Sequence, residues 1–80
     1  MMTPTVKRLG PYRLFFYAGD STEPPHIHVA RENKIAKFWL APVRLQSSRG
    51  FRPPEIRRIQ QLVMEHEKEL LEAWYAYFGD

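Results

Sequence analysis

The last third of this chain constrains the fold more than any other stretch. Ile56, Ile59, Val63, His66, Leu70, Trp74 and Tyr77 recur at spacings of three and four, and Leu62, Leu71 and Phe78 widen the stripe. Glu55, Arg58, Gln61, Glu65, Lys68, Glu69 and Glu72 lie largely on the other side. That period is one apolar face of a helix. Pro53 and Pro54 suit its first turn, where missing N–H groups cost nothing, and Gly79 suits its end. The spacing predicts one helix over 54–78, about 37 Å long. Such a stripe must be buried against something, and the first fifty residues have to supply it. The helix is longer than a small sheet, so its last turn, with Trp74, Tyr77 and Phe78, is expected to overhang and offer apolar surface to a partner.

The first half alternates with the period of strands. Over 12–18, Tyr12, Leu14, Phe16 and Ala18 fall on one face, with Arg13, Phe15 and Tyr17 on the other. Both faces carry large rings, which predicts a strand covered on both sides. Residues 21–25 form a linker stiffened by Pro24-Pro25. A second strand over 26–31 sets Ile27 and Val29 against His26, His28 and Ala30. Glu32-Asn33 makes a tight turn, Asn being tolerant of positive φ. A third strand over 34–40 sets Ala36, Phe38 and Leu40 against Ile35, Lys37 and Trp39. A short fourth strand is expected over 43–46, before the turn Ser47-Ser48-Arg49-Gly50. The fold class is α+β: a small antiparallel sheet of three to four strands packed against one long C-terminal helix, in a single domain over 1–80.

Eighty residues without cysteine make a core that is only just sufficient, with no disulfide available as a staple. Association with a partner or with a second copy is the staple left open. The absence of cysteine fits a reducing cytoplasm and excludes thiolate metal sites. Met1 to Arg8 hold no apolar stretch suited to a secretory signal, and no apolar run could span a bilayer. A cytoplasmic protein is expected. Charge is divided along the chain. Met1 to Arg58 carry eleven Lys/Arg and four Asp/Glu, whereas Ile59 to Asp80 carry one Lys and five Asp/Glu. A basic sheet half and an acidic helix half point to an anionic partner or to head-to-tail pairing.

The residues able to carry chemistry are few. His26 and His28 project from the same face of a strand about 7 Å apart. Two imidazoles so placed can ligate a metal, act as an acid–base pair, or contact phosphate. They can equally hydrogen-bond across a sheet or pack on Trp39, and His-x-His alone distinguishes none of these. His66 could complete a zinc site only if the helix covers the histidine face. Lys37 with Trp39, and Arg13 with Phe15 and Tyr17, interleave cations with rings in the manner of nucleic-acid-binding sheets. Lys and Arg stems covering apolar surface give the same pattern. Arg44, Arg49 and Arg52 form a second basic group around Gly50, next to the helix N-terminus, where backbone N–H groups favour anions. No nucleophile triad, phosphate-binding loop or dinucleotide fingerprint is present.

The ordered set Pro25-His26-Ile27-His28-Val29, then Ala36-Lys37-Phe38-Trp39-Leu40 with Pro42 and Val43, then Arg49-Gly50-Phe51 leading into Glu55-Ile56-Arg57-Arg58-Ile59, resembles family 4160 of the domains of unknown function. The similarity runs from Gly10 to Gly79. It implies a compact bacterial protein with no established activity, encoded beside a second small gene in the manner of toxin–antitoxin cassettes. A small protein partner from that neighbouring gene follows from the resemblance, with RNA or DNA as a further partner. Where the family tends to place a capping Ser, in Ser-Pro-x-Glu, this chain has Arg52-Pro53-Pro54-Glu55. Losing such a cap costs about 1 kcal/mol, so the first turn should lean on a ligand or a neighbour.

Two functions compete on these grounds. One is an interaction module of a two-gene system, using Arg13, Lys37, Trp39, Arg44, Arg49 and Arg52 for nucleic acid or another anion and Trp74, Tyr77 and Phe78 for the protein partner, with no cofactor and no metal. The other is a metal-independent ribonuclease toxin using His26 and His28 as base and acid. A His26/His28/His66 zinc site is a third reading.

Overall fold

The structure is a computed structural model and describes residues 5–79; residues 1–4 and 80, part of the single domain expected above, lie outside the described residues. Five antiparallel strands pair in chain order: β1 (Thr5–Leu9), β2 (Tyr12–Phe15), β3 (His26–Arg31), β4 (Lys34–Leu40) and β5 (Val43–Arg49). Two helices follow, α1 (Pro53–Glu65) and α2 (Glu67–Phe78). The fold is α+β, with five strands where three to four were expected and two helices where one was. Among the described residues no helix is long and apolar enough to cross a membrane.

Cross-strand register decides which residues share a face. Leu14 lies opposite Val29, Val29 opposite Ala36, and Ile27 opposite Phe38. These residues join Leu40, Phe51, Ile59, Val63, Leu70 and Trp74 in one buried cluster. The helices therefore cover the Ile27/Val29 face, as alternation along β3 and the helical stripe require of each other. β2 lies between β1 and β3 and is buried on both faces, with Tyr12 and Leu14 beneath the helices and Phe15 on the opposite side.

The missed β1 pairs with β2 through the Gly10-Pro11 turn, Gly10 supplying φ +58. β2 ends at Phe15, not at residue 18, because the chain turns into a 3-10 helix over Ala18–Thr22, a stretch read from sequence partly as strand and partly as linker. β5 continues to Arg49, through residues expected to form a turn, with a bulge opposite Lys37/Phe38. In the β3–β4 turn Glu32, not Asn33, takes the positive φ, at +57.

The helix is interrupted at His66, whose backbone (φ −113, ψ 15) leaves the helical region for one residue. The His66 Nδ1–H donates to the Leu62 carbonyl at 2.9 Å, beside the His66 backbone N–H, which donates to the same oxygen at 3.2 Å. At its other end α1 begins at Pro53, with Arg52 as an N-cap that makes no side-chain cap bond. The neighbour that steadies this first turn is Arg31. Its Nε and Nη2 donate to the two Glu55 oxygens, each at 2.8 Å, while Tyr12 Oη–H donates at 2.7 Å. One carboxylate thus ties α1 to both β2 and β3. Arg31 first and Tyr12 second hold the Glu55 carboxyl down from 4.5 to about 2.

Candidate functional site

The face of the sheet away from the helices carries most of the predicted site. Three rows cross it: His26–Trp39–Arg44, Phe15–His28–Lys37–Ser47, and Arg13–Ala30–Ile35–Arg49. Arg13, Lys37, Trp39, Arg44 and Arg49 consequently share the surface of the sheet that faces away from α1. Arg13 stacks over Phe15 at 4.2 Å and Lys37 over Trp39 at 4.9 Å. Lys37 also donates to Glu23, whose carboxyl it holds below the ordinary range. Arg13, Arg44 and Arg49 form no ion pair with a carboxylate among the described residues, so their charge is open to an anion.

Two clefts flank the Lys37–Trp39 pair. One, of about 320 Å³, is lined by Tyr17, His28, Ile35, Lys37, Ser47 and Arg49 among others. The other, of about 380 Å³, is lined by Pro24, Pro25, Trp39, Ala41, Pro42 and Arg44.

The expected basic group around Gly50 does not form. Arg44 and Arg49 are five residues apart on β5, about 16 Å along an extended strand, and Arg52 sits past Gly50 at the start of α1. Gly50 itself serves packing. At φ +96 it passes so close to Lys34 that an added Cβ would lie 2.8 Å from the Lys34 Cγ.

The expected apolar overhang is also corrected. Trp74 is only 4% exposed, sealed beneath Phe16, His26 and Phe78 with ring centroids 5.2, 5.0 and 4.3 Å away. Phe78 is half-buried against the same core, and only Tyr77, at 50%, stands out. β2 and the chain just beyond it reach far enough along the helix for Phe16 to cover this turn.

The histidines lie on the outer face but are not open. The 3-10 segment folds back over them and lowers Asp20 between their rings, so His26 is 0% and His28 8% exposed. The His26 Nδ1–H donates to the Pro24 carbonyl at 2.9 Å, and the His28 Nε2–H donates to Asp20 Oδ2 at 3.0 Å. The Tyr17 backbone N–H donates to the same oxygen at 2.8 Å. Burial disfavours the Asp20 carboxylate, but the Tyr17 N–H and the two imidazoles outweigh it, and the net shift is downward. Burial lowers His28 more than Asp20 raises it.

His26 Nε2 is different. It lies 3.0 Å from Asp20 Oδ2 yet out of line for a hydrogen bond, and it is buried without a partner. An orphaned buried polar atom costs about 1–3 kcal/mol. His66 belongs elsewhere, on the helix, because the helices cover the opposite face of β3. Of the two histidines read as acid and base, His26 is fully buried and His28 reaches the 320 Å³ cleft. Sequence reasoning missed Asp20. The available signal was a carboxylate six residues before His-x-His, with Pro-Pro between to fold it back.

No curated protein and no solved structure gives a significant match to the chain. Residues 12–75 span β2 to α2 and hold the outer-face residues, both histidines and Asp20, and over that stretch the sequence fits the family described as Domain of unknown function (DUF4160), to which this chain belongs.

Proposed function

We propose that the protein is a binding module of a two-gene, toxin–antitoxin-like bacterial system, working in the cytoplasm, and that its uncovered sheet face takes the phosphate backbone of single-stranded RNA or DNA. The observation that carries this reading is the spread of Arg13, Arg44 and Arg49, none with a carboxylate partner among the described residues, over one surface with Trp39 and Lys37. The partly exposed Trp39 ring can stack on a base of any sequence while the cations neutralise phosphates. The small protein from the neighbouring gene takes the exposed β5 edge, whose outer backbone groups have no strand beside them among the described residues.

The test is fluorescence anisotropy with a labelled single-stranded oligonucleotide at several salt concentrations. Three phosphate contacts give a slope of log K against log salt of about −2, and each Arg→Ala change at 13, 44 or 49 removes about 0.7 of it. No binding at low salt, or a slope unchanged in the triple variant, refutes the reading.

A further inference from the structure

We propose that Asp20 Oδ2, His26 Nε2 and His28 Nε2 form a binding site for a divalent transition-metal ion, Zn(II) by donor type, which clamps the 3-10 segment onto β3. The three donor atoms lie within 4.8 Å of one another, and each nitrogen stands 3.0 Å from the carboxylate oxygen. Donors about 2.0–2.1 Å from a tetrahedral ion are about 3.3–3.5 Å apart, so the two nitrogen–oxygen spacings need to open by only a few tenths of an ångström. Two imidazoles and a carboxylate are a donor set that zinc accepts while keeping one position for water or a ligand.

His26 carries the argument. Its Nδ1–H is spent on the Pro24 carbonyl, which can only accept, so in the neutral ring Nε2 presents a lone pair. That arrangement is how metal-bound imidazoles are commonly fixed, the far nitrogen donating to a backbone carbonyl. The lone pair is fully buried, has no hydrogen-bond partner, and lies 3.0 Å from an acceptor oxygen. Two acceptor atoms 3.0 Å apart in a buried place repel unless a cation binds both. Donors on a common ion also look past one another rather than straight at one another, as Nε2 and Oδ2 do here. The competing occupant is a proton.

Ligation requires His28 to move its ring proton from Nε2 to Nδ1, releasing the bond it makes to Asp20. His28 and Asp20 are the slightly exposed members of the cluster, and His28 lines the 320 Å³ cleft with Tyr17 and Lys37, so the ion enters from that side.

The test uses the whole chain, stripped of metal by dialysis and titrated with Co(II) and then Zn(II). The expected result is a one-equivalent titration with the strong visible absorption of tetrahedral cobalt, which zinc abolishes. Zinc at a hundredfold excess over its Kd should raise Tm by roughly 10–20 °C. Asp20→Asn and His26→Gln should lose the cobalt spectrum, and His66→Gln should keep it. The wild-type titration decides the matter even if His26→Gln unfolds. Absence of both a cobalt spectrum and a zinc-dependent Tm shift overturns the proposal and leaves a proton between Asp20 and His26. A signal that survives Asp20→Asn but is lost in His66→Gln overturns it in favour of a different site. Nucleic-acid binding has no part in these readouts.

Discussion

Trp74 and Tyr77 stand three residues apart on α2 and both look like candidates for a sticky helix end, but the structure assigns them opposite roles. Truncating Trp74 to Ala removes a nearly sealed indole from contact with Phe16, His26 and Phe78. Burying a Trp takes about 150–250 Å² from water, worth about 4–6 kcal/mol at 25 cal/mol per Å². Measured core truncations of this size cost about 3–5 kcal/mol once partial collapse is allowed. A domain of this length has roughly 4–12 kcal/mol in total, so Trp74→Ala should leave the protein marginal or unfolded at 25 °C. Tyr77→Ala, by contrast, removes a half-exposed ring and should cost no more than about 1 kcal/mol. Urea titrations followed by far-UV circular dichroism measure both. With a slope near 1 kcal/mol per M, Trp74→Ala should lower the midpoint by about 3 M or more and Tyr77→Ala by about 1 M or less. Equal losses for the two variants, or a Trp74→Ala protein within 1 kcal/mol of wild type, would return the aromatic cluster to the surface and refute the assignment.

Glu55 gives a pH signature. Its folded value of about 2 lies below the ordinary 4.5, so its contribution is complete above about pH 4.5 and is lost as pH falls towards 2. Paired urea titrations of wild type and Glu55→Gln should therefore differ most at pH 6 and converge by about pH 2; a constant gap across that range contradicts the Arg31–Glu55–Tyr12 assignment. Glu32→Gly should raise stability by about 0.5–1 kcal/mol, because Glu32 holds a left-handed φ of +57 that a side chain disfavours. Thermal melts check this, and a lower Tm would show that the Glu32 contacts to Arg31 and Lys34 outweigh the backbone.

What was legible in the sequence follows burial. β3, β4 and the helical stripe each set large apolar residues at a strict period, and each lies where that period predicts. β1 escaped because a shift in register between Thr5 and Lys7 breaks alternation in a strand whose apolar residues, Val6 and Leu9, are only partly buried. β5 beyond Leu45 is Gln-Ser-Ser-Arg, an exposed edge with no core-facing signal and the composition of a turn. The His66 interruption carries no Gly or Pro, and a stripe of threes and fours runs unbroken across a single non-helical residue. Alternation gave the facing of Arg13, Lys37 and Trp39; Arg44 and Arg49 are an odd number of residues apart and reach the same face only through the bulge in β5, which no local pattern announces. The Asp20 cluster was not legible, since nothing in local periodicity says where a 3-10 segment folds back.

The strand order has a consequence for how the molecule is made. Each strand's partner is the segment synthesised just before it, so the whole meander can zip up as it leaves the ribosome, without waiting for distant chain. Its greasy side, however, stays bare until the helices from Pro53 onward arrive. A nascent chain paused before that point is a half-finished sandwich with one slice missing. Ribosome-bound intermediates of this length are therefore where chaperones should engage it, and where truncation would send it into aggregates.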